Sequence, residues 1–243
     1  MEEENYDVIY SLEKQNWWYR ARRDLLYKVL KGMHKQFDKT LDFGCGVGAN
    51  LSMLRKISKN VIGIDYSQKA IDYCANRGYD HAVRMSGDNL EFEENSFDLV
   101  LCSDVLEHIE DDKTALKEIA RVLKPGGILL FTVPAHNYLW GPVDEISNHF
   151  RRYELKKIRP LLPFNLSIRR LGYWNLSTFF PNLLFVRISG LFNGKKRSSN
   201  TLDAVPGFLN SLLYKIICLE NKAFTHSVSI QGVSIVGICQ KIL

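Results

Sequence analysis

The chain has 243 residues, of which 46% are apolar and 24% charged, and carries a formal net charge of +5. That balance suits one α/β unit with additions and excludes an intrinsically disordered chain. The basic residues fall in short scattered runs (RARR, RRYELKK, GKKR), so no nucleic-acid partner is expected.

In chain order, TLDF (40–43) is a short buried strand running into glycines, and NLSMLRKI then sets Leu51, Leu54 and Ile57 at helical spacing. NVIGID (60–65) is the next strand. SQKAIDYCANRG follows as a helix, with Ser67 as its N-cap and Gly78 as its stop. HAVRM (81–85) is a third strand and FDLVLCS (97–103) a fourth. DDKTALKEIARVLKPGG is a helix halted by Pro125, Gly126 and Gly127, and ILLFTV (128–133) is the fifth strand. Near the end, SIQGVSIVGICQKIL (229–243) reads as a strand that pairs with NLSIRRLGYW (165–174). Strand and helix alternate, which implies parallel strands, right-handed crossovers and a doubly wound α/β sheet.

Five cysteines with no CxxC pair argue against a disulfide framework and a zinc site. The acidic start MEEENYDVIYSLEKQ has no apolar leader core, and no run approaches the ~20 residues of a spanning helix. The expected compartment is the cytoplasm.

TLDFGCGVGANL places Gly44, Gly46 and Gly48 directly after a strand, where an open sheet binds its ligand and glycine lets the backbone come close. Gly44, Gly46 and Ala49 fit a dinucleotide fingerprint nominally. Asp42, however, would meet a pyrophosphate with negative charge; a carboxylate there suits a cationic ammonium. Asp65 ends the second strand, where it can accept both hydroxyls of a ribose. Asp88 and Asn89 follow the third strand, where an adenine edge would lie. Tyr153 and Lys157 form a YxxxK pair, but the glycine spacing of a short-chain reductase is missing, and the pair is read as coincidence.

LDFGCGVGAN, GIDYS, GDNLEFEENSFDLVLCSDVLEHIED and RVLKPGGILLFTVP resemble the successive motifs of class I S-adenosylmethionine-dependent methyltransferases. NHFRRYELKKI and NWWYRARRDLL extend the resemblance to the type 11/12 small-molecule group. The resemblance covers roughly residues 10 to 160. It implies S-adenosyl-L-methionine as cofactor and a mostly parallel, seven-stranded Rossmann-like sheet. Around that sheet it implies one domain: an N-terminal helical cap (1–36), a cofactor core (37–175), a helical lid (176–226) and a closing strand (227–243).

Carried over by motif position, Asp42 approaches the methionine ammonium, and Gly44, Cys45 and Gly46 line the methionyl-ribose part. Asp65 binds the ribose, Tyr66 flanks the adenine, and Asp88 with Asn89 meets the adenine amino group. Cys102 and Ser103 end the fourth strand against the methionine. Trp17, Trp18, Arg20 and Arg23 belong to an N-terminal helix over the cofactor, with one arginine, Arg23, for the methionine carboxylate.

Asp104, Glu107 and His108 share one helical face by spacing. Some relatives bind a divalent metal with such a cluster, but the ligand set is incomplete and no metal is expected; His108 is expected beside the cofactor. WGPVDEISNHFRRY (140–153) lies next to the cofactor mouth, and His149 is the candidate general base for a hydroxyl acceptor, histidine being the usual base near neutral pH. The expected reaction is methyl transfer to a hydroxyl, amine or carbon of a small-molecule acceptor. A cofactor-binding module without catalysis and an NAD-dependent oxidoreductase remain as alternatives. PNLLFVRISGLF, with the stripe Leu184, Ile188 and Leu191 and the flanking Leu183, Val186 and Phe192, gives the lid an apolar surface. Acceptor pocket, homodimer interface and a membrane contact aided by GKKR (194–197) compete for it, so the chain is a monomer or a homodimer.

Overall fold

The computed structural model describes residues 3–191, 205–226 and 229–242. The chain opens with α1 (Glu3–Leu12) and α2 (Trp17–Lys31), then alternates β1 (Phe37–Phe43), α3 (Ala49–Leu54), β2 (Ser58–Asp65), α4 (Gln68–Asn76), β3 (Ala82–Arg84) and β4 (Phe97–Ser103). It continues through α5 (Asp112–Val122), β5 (Leu123–Pro134), the short α6 (Pro142–Ile146) and α7 (Leu155–Ile158), and β6 (Leu166–Trp174). The last elements are α8 (Phe179–Leu191), α9 (Gly207–His226) and β7 (Ser234–Lys241).

The seven strands order as β3-β2-β1-β4-β5-β7-β6. β1 to β5 pair in parallel, and β7 runs antiparallel to both β5 and β6. The doubly wound, mostly parallel sheet expected from the alternation is therefore present, and the final strand does pair with 165–174. The order reverses between β1 and β4, so their carboxyl ends open the crevice where such sheets hold ligands.

Both faces are covered, which is why the central strands read as near-continuous apolar runs. One core joins Leu41, Phe43, Val100 and Phe131 to Leu116 and Ile119 of α5. The other joins Leu99, Leu101 and Leu130 to Leu25, Leu26 and Leu30 of α2 and Ile217 of α9. Each of those fully buried leucines contributes roughly 1.5–3 kcal/mol.

Two expectations change. Pro125 does not merely stop a helix: α5 ends at Val122, and β5 already starts at Leu123, paired with Phe97. The pairing then skips from Phe97–Leu123 to Leu99–Ile128, so the proline and glycines form an irregular loop-out within the strand. Second, Asp104, Glu107 and His108 do not share a helical face. Asp104 sits at φ +53°, and only Leu106–His108 form a single 3-10 turn. Within the region expected as a helical lid, α9 is clamped onto the core. Asn221, fully buried, accepts from Trp174 Nε1 at 2.8 Å and donates to the Ala21 carbonyl at 2.8 Å, while Arg20 stacks over Tyr214. α8 does present the apolar surface expected of PNLLFVRISGLF, with Phe180, Leu184, Phe185 and Ile188 exposed. Phe192 and GKKR lie outside the described residues.

Candidate functional site

β1 delivers Asp42 to the crevice, buried and flanked by Gly63 of β2 and Leu101 of β4. Neither carboxylate oxygen has a partner in hydrogen-bond geometry among the described residues, although the Asn50 side chain lies near enough to favour the ionised form. Burial, reinforced by the charge of Asp65, pushes its carboxyl up to about 8. A buried anion left without a partner is costly; what this position lacks is a cation.

The glycine loop turns beside it. Gly44 lies at φ +74°, and a Cβ there would stand 2.4 Å from the Val105 side chain, so both conformation and space demand glycine. Gly48, at φ +89°, caps α3. Cys45 is buried, its sulfur 3.9 Å from that of Cys74 on α4.

Asp65 ends β2 at the other side of the loop. Its Oδ2 accepts from the Gly46 amide at 2.9 Å, and its Oδ1 accepts from the Ser67 amide at 3.0 Å and the Tyr6 hydroxyl at 3.1 Å. Burial raises its carboxyl above the usual range, against those hydrogen bonds. Tyr6 comes from α1 and was not singled out from the sequence; an isolated tyrosine in an acidic leader gives no local signal. Tyr66 stands 72% exposed beside Arg84, and Asp88 and Asn89 are exposed at the end of β3, with Ser86 donating to Asp88 at 2.5 Å.

Arg23, the arginine expected at the methionine carboxylate, donates to the Glu13 carbonyl at 2.5 Å. Arg22 instead pairs with Asp104 and carries an Nε without a partner. Its charge reaches both Asp42 and Glu107. Cys102 packs into the core, where burial drives its thiol well up, so its contribution to the crevice is backbone. Ser103 Oγ lies 3.0 Å from Thr132 Oγ1, and Thr132 donates to Asp104 at 2.8 Å.

The loop after β5 docks onto this edge. Phe150 N donates to the Glu107 carbonyl at 2.8 Å, which brings His149 against His108 in an edge-to-face contact, centroids 4.6 Å apart. His149 Nδ1 is 2.8 Å from Asp144 Oδ1. Asp144 is fully buried and also accepts from Arg152 Nε and the Gly141 amide, each at 2.8 Å. Burial would raise the Asp144 carboxyl, but His149 and Arg152 outweigh it and hold it below the usual range. Burial and the neighbouring His149 bring His108 down to about 4, and burial with the charge of Asp104 pushes Glu107 well up. Glu107, His108 and His149 each offer a ligand atom within 4.8 Å of the others; His149 takes the place expected of Asp104, which Arg22 and Thr132 hold. Tyr153 is buried and donates to Asp112 at 2.8 Å, a structural bond consistent with reading the YxxxK pair as coincidence.

Residues 41–131 match a family model described as a methyltransferase domain. The chain is 30% identical over 129 residues to the "Probable S-adenosylmethionine-dependent methyltransferase" of Mycolicibacterium smegmatis, covering 52% of this chain and 49% of that one. It is 32% identical over 115 residues to the ubiquinone biosynthesis O-methyltransferase of Coxiella burnetii, covering 45% and 47%. The chain thus spans about half the length of these curated relatives. In fold it is similar to the N-methyltransferase NodS of Bradyrhizobium japonicum, solved with S-adenosyl-L-homocysteine (TM-score 0.55, 15% identity, 90% of this chain and 86% of that one). It is equally similar to the [4+2]-cyclase SpnF (TM-score 0.56, 21% identity, 90% and 81%), so the architecture alone does not name a reaction. Residues 41–131 thus match a methyltransferase domain, and about half of the chain is similar to S-adenosylmethionine-dependent methyltransferases.

Proposed function

We propose that this chain moves a methyl group from S-adenosyl-L-methionine to a hydroxyl of a small-molecule acceptor. The observation that carries the reading is Asp42, a buried carboxylate beside the glycine loop whose oxygens have no partner in hydrogen-bond geometry among the described residues. A cofactor with an ammonium and no phosphate fits that hole; a pyrophosphate does not. When bound, S-adenosyl-L-methionine supplies an electrophilic methyl on a sulfonium.

The chain's own residues supply the rest. Asp42 holds the ammonium, Arg22 is the fork available to the amino-acid carboxylate, and Asp65 accepts from the ribose. Asp88, Asn89 and the exposed face of Tyr66 bound the adenine side. His149, oriented through Nδ1 by Asp144, keeps Nε2 for the acceptor's proton, in line with the O-methylation named for the Coxiella relative. Displacement at a methyl group demands alignment above all, and a loop locked by the Phe150–Glu107 bond supplies it.

Calorimetry with S-adenosyl-L-homocysteine and with NAD tests the reading: the first binds, the second does not. Tight NAD binding without the homocysteine would overturn it. A second reading of the catalytic edge rests on Glu107 Oε2 and His108 Nδ1, both buried without partners: two imidazoles and a carboxylate could hold a divalent ion that polarises the acceptor. Cobalt(II) titration followed by visible absorbance decides it, since only a bound ion gives saturable ligand-field bands lost in Glu107→Gln.

A further inference from the structure

A cleft of about 280 Å³ opens past the end of β5, on chemistry that the cofactor site does not use. The backbone there is tied down on three sides: Ala135 N donates to the Val233 carbonyl at 2.9 Å, His136 N to the Tyr153 carbonyl at 2.8 Å, and Leu139 N to the His136 carbonyl at 2.9 Å. His136 is held at φ 60° and ψ 111°, a conformation that side chains other than glycine rarely adopt. Its ring is clamped between Tyr138 (centroids 4.8 Å, 22°) and Tyr173 (4.6 Å, 26°), with Phe179 edge-on at 5.7 Å.

His136 is only 4% exposed, yet its Nε2 has no hydrogen-bond partner among the described residues. Gln231 Oε1 likewise has no partner in hydrogen-bond geometry among the described residues, although it lies near enough to favour the protonated His136 ring, and both residues line the cleft. Two buried polar atoms without partners on one cleft wall are a cost that a ligand can remove. The remaining wall supplies the carboxylate of Glu154, the ammonium of Lys156 and the 45% exposed ring of Tyr138.

We propose that this cleft binds a neutral, polyhydroxylated ring (a sugar-like part of the methyl acceptor), an assignment that rests on the methyl-transfer reading. Glu154 and Gln231 Oε1 accept, Lys156 donates, and the His136 imidazole can do either; hydroxyls around a ring rim satisfy both kinds of group. The Tyr138 face matches the C–H side of such a ring. An anion would face Glu154, and an unsubstituted apolar ring would leave His136 Nε2 and Gln231 Oε1 unpaired. The position suits an acceptor. Thr132 is in register with Ser103 at the end of β4, and His136 follows four residues later, at most about 14 Å away along the chain.

The test is nuclear magnetic resonance of ¹⁵N-histidine-labelled protein, with S-adenosyl-L-homocysteine binding measured first and separately. Methyl hexosides are then titrated against the His136 ring signals. The expected result is a saturable shift, at least about tenfold weaker in Tyr138→Ala and in Gln231→Leu, both of which keep the homocysteine bound. Signals that ignore every hexoside while the homocysteine binds normally overturn the cleft assignment alone. A shift with simple phenols and none with hexosides overturns it as well. Failure of homocysteine binding would overturn the methyl-transfer reading, and a saturable hexoside shift would still support the cleft.

Discussion

Tyr6 of α1 donates its hydroxyl to Asp65 at 3.1 Å, so the first helix of the chain is bonded to the carboxylate that ends β2. With the Ser67 amide on the same oxygen and the Gly46 amide on the other, Asp65 keeps room for one further donor in good geometry. A ribose brings two hydroxyls. Admitting both displaces Tyr6, and that lost bond opposes cofactor binding. Tyr6→Phe is therefore expected to tighten S-adenosyl-L-homocysteine binding by about 0.5–1.5 kcal/mol, the net worth of one hydrogen bond. Calorimetry checks the sign, and weaker binding in the variant would show that Tyr6 supports the ribose.

Asp65→Ala works in the opposite direction. It leaves ribose hydroxyls and the Gly46 amide unpaired in a half-buried site, at a cost of ~1–3 kcal/mol of binding. Unchanged affinity would remove Asp65 from the ribose role.

Asp42 makes a pH prediction of definite sign. Its carboxyl is pushed up to about 8 in the folded chain, against 3.8 for an exposed aspartate. Between those values the folded chain holds the proton that the unfolded chain has given up. This contribution to stability is therefore complete below pH 3.8 and is lost as pH rises toward 8. Binding a cationic ammonium favours the ionised form, so homocysteine affinity should climb with pH below about 8, approaching tenfold per unit. Asp42→Asn is expected to flatten both curves, by thermal melts and by calorimetry, and to weaken binding at pH 8. A variant that keeps the wild-type slope would assign the titration elsewhere.

His149→Ala should lower turnover by ~10²–10⁴-fold while leaving homocysteine affinity nearly unchanged. Asp144→Asn should lower turnover too, because it disturbs the Nδ1 bond that fixes the histidine tautomer. Turnover is measurable once an acceptor is in hand, with methyl hexosides as the first candidates. Full activity in His149→Ala would leave that residue only the task of pinning its loop.

Local patterns made much of this readable from sequence. FDLVLCS is β4 residue for residue; Asp65 is the last residue of β2, and Asp42 stands one before the last of β1. What escaped was set by distant contacts. Leu123 is drawn into the sheet by Phe97, which pulls the start of β5 ahead of Pro125. Asp104 leaves the helical pattern at a positive φ, held by Thr132 and by Arg22 from α2. The bond from Tyr6 to Asp65 spans 59 positions, and no window of sequence displays such a bond.

The buried amide of Asn221 joins β6, α2 and α9 through Trp174 and Ala21, the latter 200 positions away along the chain. During synthesis the second helix therefore waits for nearly the whole chain before its partner exists. Ordering of the roof over the crevice should be among the last folding events, since contacts of such long range close slowly. Pulse-labelled hydrogen exchange during refolding would show amides of β1 and β4 protected before those of α2; simultaneous protection would mean that the roof assembles with the sheet. A newly made chain would then present an open cofactor crevice before it presents a closed one.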